Sequence, residues 1–289
     1  MLAENEYGLV REEVLGEGLS AIVIEHAKVN AKVSLYGGQV LTWQPKGEKE
    51  VFWLSKDSLY EQSKAIRGGI PLCWPWFGAH TDDLDNKEGN HGFARTQLWQ
   101  LDHVTISELG VEINLSWQGE SMSKLWPFSC QLKQVLYFGD SFKQSLTMTN
   151  LSQSDAYYTG ALHSYFSVSS PEHIKVEALE SASFDDKLSG KLCDPQPLNN
   201  AVGPIDRIYY TNAAMDIVDS QWQRVIKLKT SNTNQWVFWN PGVEVARNMA
   251  DIHQHGEQGF VCLEAANTQM QLLSAGQSEK IEQEISIVS

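Results

Sequence analysis

Apolar and polar residues alternate along much of the chain. Over residues 27–35, Ala27, Val29, Ala31, Val33 and Leu35 are apolar, while Lys28, Asn30, Lys32 and Ser34 are polar. A period of two predicts a strand with one buried and one wet face. Val111, Ile113, Leu115 and Trp117 repeat the pattern against Glu112, Asn114 and Ser116. Gly37-Gly38 predicts a sharp change of direction after the first of these strands. Gly139-Asp140 predicts a tight turn between the runs 131–138 and 141–150. Further strands are expected over 225–230, 236–239, 259–263 and 281–288. Residues 236–239 are apolar at every position, so that strand is expected to be covered on both faces. Helical signals are short, the best spanning 243–252. No repeat, low-complexity tract or Pro/Ser linker interrupts the series. Many short strands between Gly, Asn, Asp and Ser turns predict an all-β protein, a large antiparallel β-sandwich forming a single domain over 1–289.

Two segments break the strand rhythm. Residues 66–78 read IRGGIPLCWPWFG and residues 90–95 read NHGFAR, with an acidic loop between them. Loops rich in Gly, Pro and Trp beside single Arg and His residues are where a site is expected. Gly68-Gly69 after Arg67 would let the backbone approach a ligand closely.

Composition narrows the chemistry. The chain has 289 residues and a net charge of -14, which as a whole repels nucleic acid and anionic membranes. An anionic ligand would need a local cluster of guanidinium groups, and there are only six arginines. Cys73, Cys130, Cys193 and Cys262 are widely separated with no C-x-x-C pair, which argues against a zinc knuckle or dithiol site. No run approaches the roughly 20 apolar residues of a membrane span, and residues 1–11 show no apolar stretch behind a basic start. These features predict a soluble, cytoplasmic protein with reduced cysteines. Phosphate-loop, dinucleotide-binding, HExxH and GxSxG signatures are all absent.

Single residues each allow two readings. Arg67 and Arg95 suit a phosphate, or pair with nearby carboxylates. His163, in the apolar run ALHSYF, is a satisfied core histidine or a general acid. Glu264 ends the apolar run FVCL and either faces water or, if desolvated, becomes a stronger base. In Asp206-Arg207, neighbours on a strand point to opposite faces, so one can enter a site while the other cannot. Trp74, Trp76, Phe77 and Trp239 can line a sugar pocket or fill the core. His253 and His255 are expected to face solvent from a loop.

Taken in order, these motifs resemble the aldose 1-epimerase superfamily, in its hexose-6-phosphate mutarotase branch. The carriers are IRGGIPLCWPWFG at 66–78, HGFAR at 91–95, ALHSYFSV at 161–168, Asp206-Arg207, VFWNPG at 237–242 and FVCLEAAN at 260–267. The resemblance implies a galactose mutarotase-like β-supersandwich. It implies His163 as catalytic acid and Glu264 as catalytic base. It implies Arg67, Asn90, His91, Arg95 and Asp206 as substrate-binding residues. It further implies a monomer acting on a small sugar phosphate, with no cofactor and no metal. The chain departs from the family pattern at Asn90, at residues 244–247 and at Ala265. Three rivals stand beside this reading, two of them of a different class. A glycoside hydrolase would want two carboxylates across the scissile bond. A sugar-binding module would keep the aromatic platform without the acid and base, and a mutarotase of free aldoses would dispense with the arginines.

Overall fold

The computed structural model describes residues 1–289. The alternating segments become three sheets whose ladders are antiparallel. A five-stranded meander runs from Ala3–Asn5 through Gly8–Gly16, Leu19–His26 and Val29–Ser34 to Gln39–Pro45. An eight-stranded sheet has at its middle Ser278–Val288, Ser141–Asn150, Ser129–Gly139 and Gly110–Glu120, in that spatial order. The third sheet carries the site. Its central strands, in spatial order, are Phe184–Asp186, Ile205–Tyr209, Gln235–Asn240, Phe260–Leu273 and Ala156–Leu162. All three sheets feed one continuous apolar core, with Val33 and Trp43, Leu136 and Phe142, and Trp236 and Leu263 among its members. No helix is long and apolar enough to cross a membrane.

The period-two reading holds where the strands are two-sided. Gly37 and Gly38 take φ of +79° and +56°, the left-handed turn their sequence demands. Phe138 pairs with Phe142 across the Gly139-Asp140 turn. Trp236, Val237 and Phe238 are all buried, as an all-apolar run requires.

Two elements differ from expectation. The strand expected over 259–263 runs on through Phe260–Leu273. Its sequence there, EAANTQM, has no strand preference of its own. Pairing with Gln235–Asn240 on one side and Ala156–Leu162 on the other carries it, a case of tertiary context overriding propensity. The helix expected over 243–252 stops after Gly242–Ala246. Asn248 donates its side-chain amide to the Glu244 carbonyl at 3.1 Å, and its N–H bonds Val245 instead. That competition ends the regular ladder and frees the next residues to turn toward the third sheet.

Candidate active site

The third sheet turns one face to the core and the other to a cavity of about 620 Å³. Alternation along Phe260–Leu273 makes the division. Val261, Leu263 and Ala265 join the main core, while Cys262, Glu264 and Ala266 lie on the other face. Ile208 and Val237 line the cavity and pack with Cys73, Ala161 and Ala266 in a small apolar cluster. The seven residues that the resemblance put in the site all line this one cavity: Arg67, Asn90, His91, Arg95, His163, Asp206 and Glu264.

Glu264 sits in mid-strand opposite Val237, only 1% exposed, and not at a strand end facing water. His163 occupies the break between Ala156–Leu162 and Tyr165–Ser167, 7% exposed, with its N–H bonded to the Pro71 carbonyl. Its ring lies flat on Tyr165, with centroids 4.8 Å apart and planes 6° from parallel. His163 Nδ1 and Glu264 Oε1 are 3.3 Å apart. His163 Nδ1 and Glu264 Oε2 are nonetheless both buried without a hydrogen-bond partner. Burial pushes the His163 imidazolium well below the usual histidine range, helped by His91, Arg67 and Arg95. Burial also holds the Glu264 carboxyl well above the usual carboxylate range, helped by Asp206. Both groups are thus driven to their neutral forms, so the pair shares one titratable proton.

The two cavity-facing arginines differ in how they are held. Arg67 presents Nε and Nη2 to Asp251 Oδ2, each at 3.0 Å, and Nη1 donates to the Tyr165 hydroxyl at 2.8 Å. Burial works against its charge, but Tyr165 and Asp251 outweigh it and keep it protonated. Arg95 donates to the Asn90 carbonyl at 2.6 Å, while its buried Nε has no partner. The other four arginines are engaged elsewhere. Arg11 and Arg247 pair with glutamates, Arg207 lies over the Phe184 ring, and Arg224 bonds backbone carbonyls beside Trp222.

His91 accepts the Gly78 N–H on Nδ1 at 3.1 Å. Burial first, then Arg95 and Arg67, push its pKa down to about 3. It is therefore neutral, with its proton on Nε2 as a fixed donor. Asp206 lines the cavity beside Lys187, and burial raises its pKa. Arg207 points away, as strand alternation requires. Phe77 and Trp239 line the cavity, whereas Trp74 and Trp76 belong to the core.

Two expectations need correction, and one departure from the family pattern is placed. Gly68 and Gly69 do not serve ligand approach. A Cβ on Gly69 would lie 2.0 Å from the Val40 carbonyl oxygen, so these glycines admit neighbouring backbone. His253 is not a free loop residue. Its ring stacks on Trp53 and its Nδ1 lies 3.2 Å from the Ser55 hydroxyl. Ala265 faces the core, so its departure from the family pattern does not touch the cavity. Sequence reasoning missed Lys187, Met249, Asp251 and Tyr165. Lys187, Met249 and Asp251 reach it from segments with no motif of their own, and Tyr165 lies inside the ALHSYFSV motif, where the adjacent His163 drew the reading.

Supersandwich topology, with a buried histidine–carboxylate pair on its open sheet face, defines a galactose mutarotase-like protein. The chain belongs to the aldose 1-epimerase family, whose model matches residues 20–286. A relative from Salmonella typhimurium is 33% identical over 254 residues, covering 86% of this chain and 83% of its own. One from Escherichia coli K12 is 32% identical over 255 residues, covering 86% and 83%. Both bear the name "Putative glucose-6-phosphate 1-epimerase". The crystal structure of a Salmonella typhimurium protein described as a "putative mutarotase" superposes with TM-score 0.90 at 30% identity, covering 100% of this chain and 96% of that one. A galactose mutarotase-like protein from Clostridium acetobutylicum gives TM-score 0.76 at 16% identity, covering 99% of this chain and 100% of that one, and shares the fold.

Proposed function

We propose that the protein interconverts the α and β anomers of a hexose 6-phosphate, glucose 6-phosphate first, with Glu264 as general base and His163 as general acid. The carrying observation is the cavity itself. Three buried polar atoms without partners, Glu264 Oε2, His163 Nδ1 and Arg95 Nε, belong to residues that line it. Leaving such atoms unpaired is costly, so a ligand carrying hydroxyl and anionic oxygens is what they fit.

The chemistry requires one proton in and one out. Glu264 takes the proton from the C1 hydroxyl while His163 gives one to the ring oxygen. The C1–O5 bond breaks, C1 becomes an aldehyde, and rotation about C1–C2 exposes its other face. The reverse transfers close the ring as the other anomer. The pair's proton count is unchanged over a turnover, so its single-proton state is the working one. The two shifts favour that proton on Glu264. A bound phosphate neutralises Arg67 and Arg95, both of which oppose the His163 cation. Substrate binding therefore favours transfer of the proton to His163, the arrangement the first step needs. His91 Nε2–H and Asp206 supply hydroxyl contacts, and Trp239 and Phe77 offer apolar ring faces to the sugar.

Arginine placement favours a phosphorylated sugar over a free one. Only Arg67 and Arg95 of the six face the cavity, and Arg95 keeps an unpaired donor. Arg95→Ala is expected to cut kcat/KM on glucose 6-phosphate at least tenfold more than on glucose, the scale of one lost charge-assisted contact. Equal losses on the two sugars would remove the case for phosphate. The family assignment and the fold also favour a small-molecule sugar substrate over a macromolecular one. A monomer suffices for this reading, since every residue it uses belongs to one chain.

A further inference from the structure

We propose that a divalent cation of the zinc class binds just beneath the His163–Glu264 wall of this cavity, held by His163 Nδ1, Cys262 Sγ and a Glu264 carboxylate oxygen, and that such a cation switches the enzyme off. One ring nitrogen of His163, Cys262 Sγ and one Glu264 carboxylate oxygen all lie within 4.8 Å of one another. Their closeness follows from the sheet. Cys262 and Glu264 are two apart on one strand, so both side chains leave the same face. Cys262 also pairs with Tyr165, two residues beyond His163.

Geometry and donor type agree. His163 Nδ1 and Glu264 Oε1 are 3.3 Å apart. Two ligand atoms about 2.0–2.1 Å from a tetrahedral ion are separated by about 3.3 Å. The sulfur has at most about 1.3 Å to close to reach its own tetrahedral spacing of about 3.5 Å. Imidazole, thiolate and carboxylate together suit zinc or cadmium and do not suit magnesium or calcium, which prefer all-oxygen sites. Burial reinforces the choice. The Nδ1 and Oε2 atoms are buried and unpaired, so the site has donor capacity the protein leaves unused. A divalent ion with one thiolate, one carboxylate and one neutral imidazole is uncharged overall. Arg67 and Arg95 oppose a bare cation here but not the completed neutral site. Three protein ligands leave the fourth position toward the cavity, open to water.

Binding releases the Cys262 thiol proton, and any proton on Glu264, to solvent. No electron is transferred. The cation consumes both members of the acid–base pair, so it and the sugar exclude each other. Cys262 takes no part in anomer exchange, which lets the two properties be separated.

Cadmium ion alone, added to the chelator-treated full chain, is the direct probe. Expected is a thiolate-to-cadmium charge-transfer absorption saturating at about one ion per chain. It should vanish in Cys262→Ala and Cys262→Ser and persist in Cys193→Ala, which removes the one cysteine that is not buried. Zinc should inhibit wild-type anomer exchange competitively with sugar. Cys262→Ala should retain activity within about twofold and need at least tenfold more zinc for the same inhibition, as for loss of one ligand. Full absorption in Cys262→Ala, or unchanged zinc sensitivity, would overturn the proposal. The absorption measurement needs no substrate, so it judges the cation site even if the hexose-phosphate reading fails.

Discussion

His163 and Glu264 are neutralised by the same burial that brings them together. Protonating the pair a second time means charging an imidazole that burial, His91 and the arginines all oppose. Removing its last proton means ionising a carboxyl that burial and Asp206 oppose. Activity should therefore be bell-shaped in pH, with the acidic limb below the ordinary histidine pKa of 6.5 and the alkaline limb far above that of a carboxylate. A kcat/KM profile that falls through pH 6.5 on the acid side would contradict this proton inventory. Stability carries the matching signature. A carboxyl whose folded pKa is raised contributes stability below its unfolded pKa and loses it as pH rises. Glu264→Gln should thus give an inactive protein with a higher Tm than wild type at pH 8, and equal or lower values there would count against it. His91 has the opposite sign. Its folded pKa of about 3 lies below the ordinary 6.5, so the unfolded chain binds a proton that the folded one does not. Stability should fall as pH drops from 6.5 toward 3. His91→Asn, which tolerates the left-handed φ of +67°, should flatten that fall in a Tm–pH series.

At the scale of elements, the segment 242–257 reaches from the end of Gln235–Asn240 back over the site. Its Met249 lines the cavity and its Asp251 holds the Arg67 fork. With that edge occupied, Arg67 offers a substrate only the remaining N–H groups. Asp251 fixes where they point and is a positioning residue. Asp251→Asn keeps the shape but loses the charge, and is expected to raise KM for glucose 6-phosphate about tenfold with kcat little changed. Steady-state kinetics on both sugars checks this, and a loss confined to kcat would contradict it. None of this was legible in the chain. The motif around Arg67 showed a cation, but Asp251 lies 184 residues away, and only the fold makes them partners. The same holds for Cys262 beside His163. Local signals were reliable where one strand or turn decides the outcome, as at Gly37-Gly38 and the Gly139-Asp140 hairpin. They failed where neighbours decide, as in the continuation of Phe260–Leu273 past Glu264 and the early end of Gly242–Ala246.

For the molecule as a whole, the sheets are locked by a few large side chains. Phe142 meets Trp43 at 5.7 Å, Phe52 at 5.3 Å and Phe138 at 5.3 Å between ring centroids, joining the meander to the eight-stranded sheet. Phe142→Ala should cost about 3–5 kcal/mol, the usual range for emptying a buried aromatic site, read from the denaturant midpoint at unchanged m-value. A loss under about 1 kcal/mol would mean that the sheets are held elsewhere. The long-range order explains why the site is so distributed. Its residues run from Arg67 to Glu264: Asp206 and Glu264 stand on strands of the third sheet, while Arg67, Asn90, His91 and Arg95 come from the non-strand segments that border the cavity. An overall charge of -14 does not forbid an anionic substrate, because the two cavity-facing arginines lie inside the cavity and not on the surface.

The most direct test of acid–base anomer exchange is two-dimensional exchange NMR of glucose 6-phosphate at equilibrium, with wild type beside Glu264→Gln. The account predicts α–β cross-peaks well above the uncatalysed rate with wild type. With the folded glutamine variant it predicts a loss of at least about a hundredfold, the usual contribution of a positioned base. No acceleration by wild type, or an equally active Glu264→Gln, would contradict it.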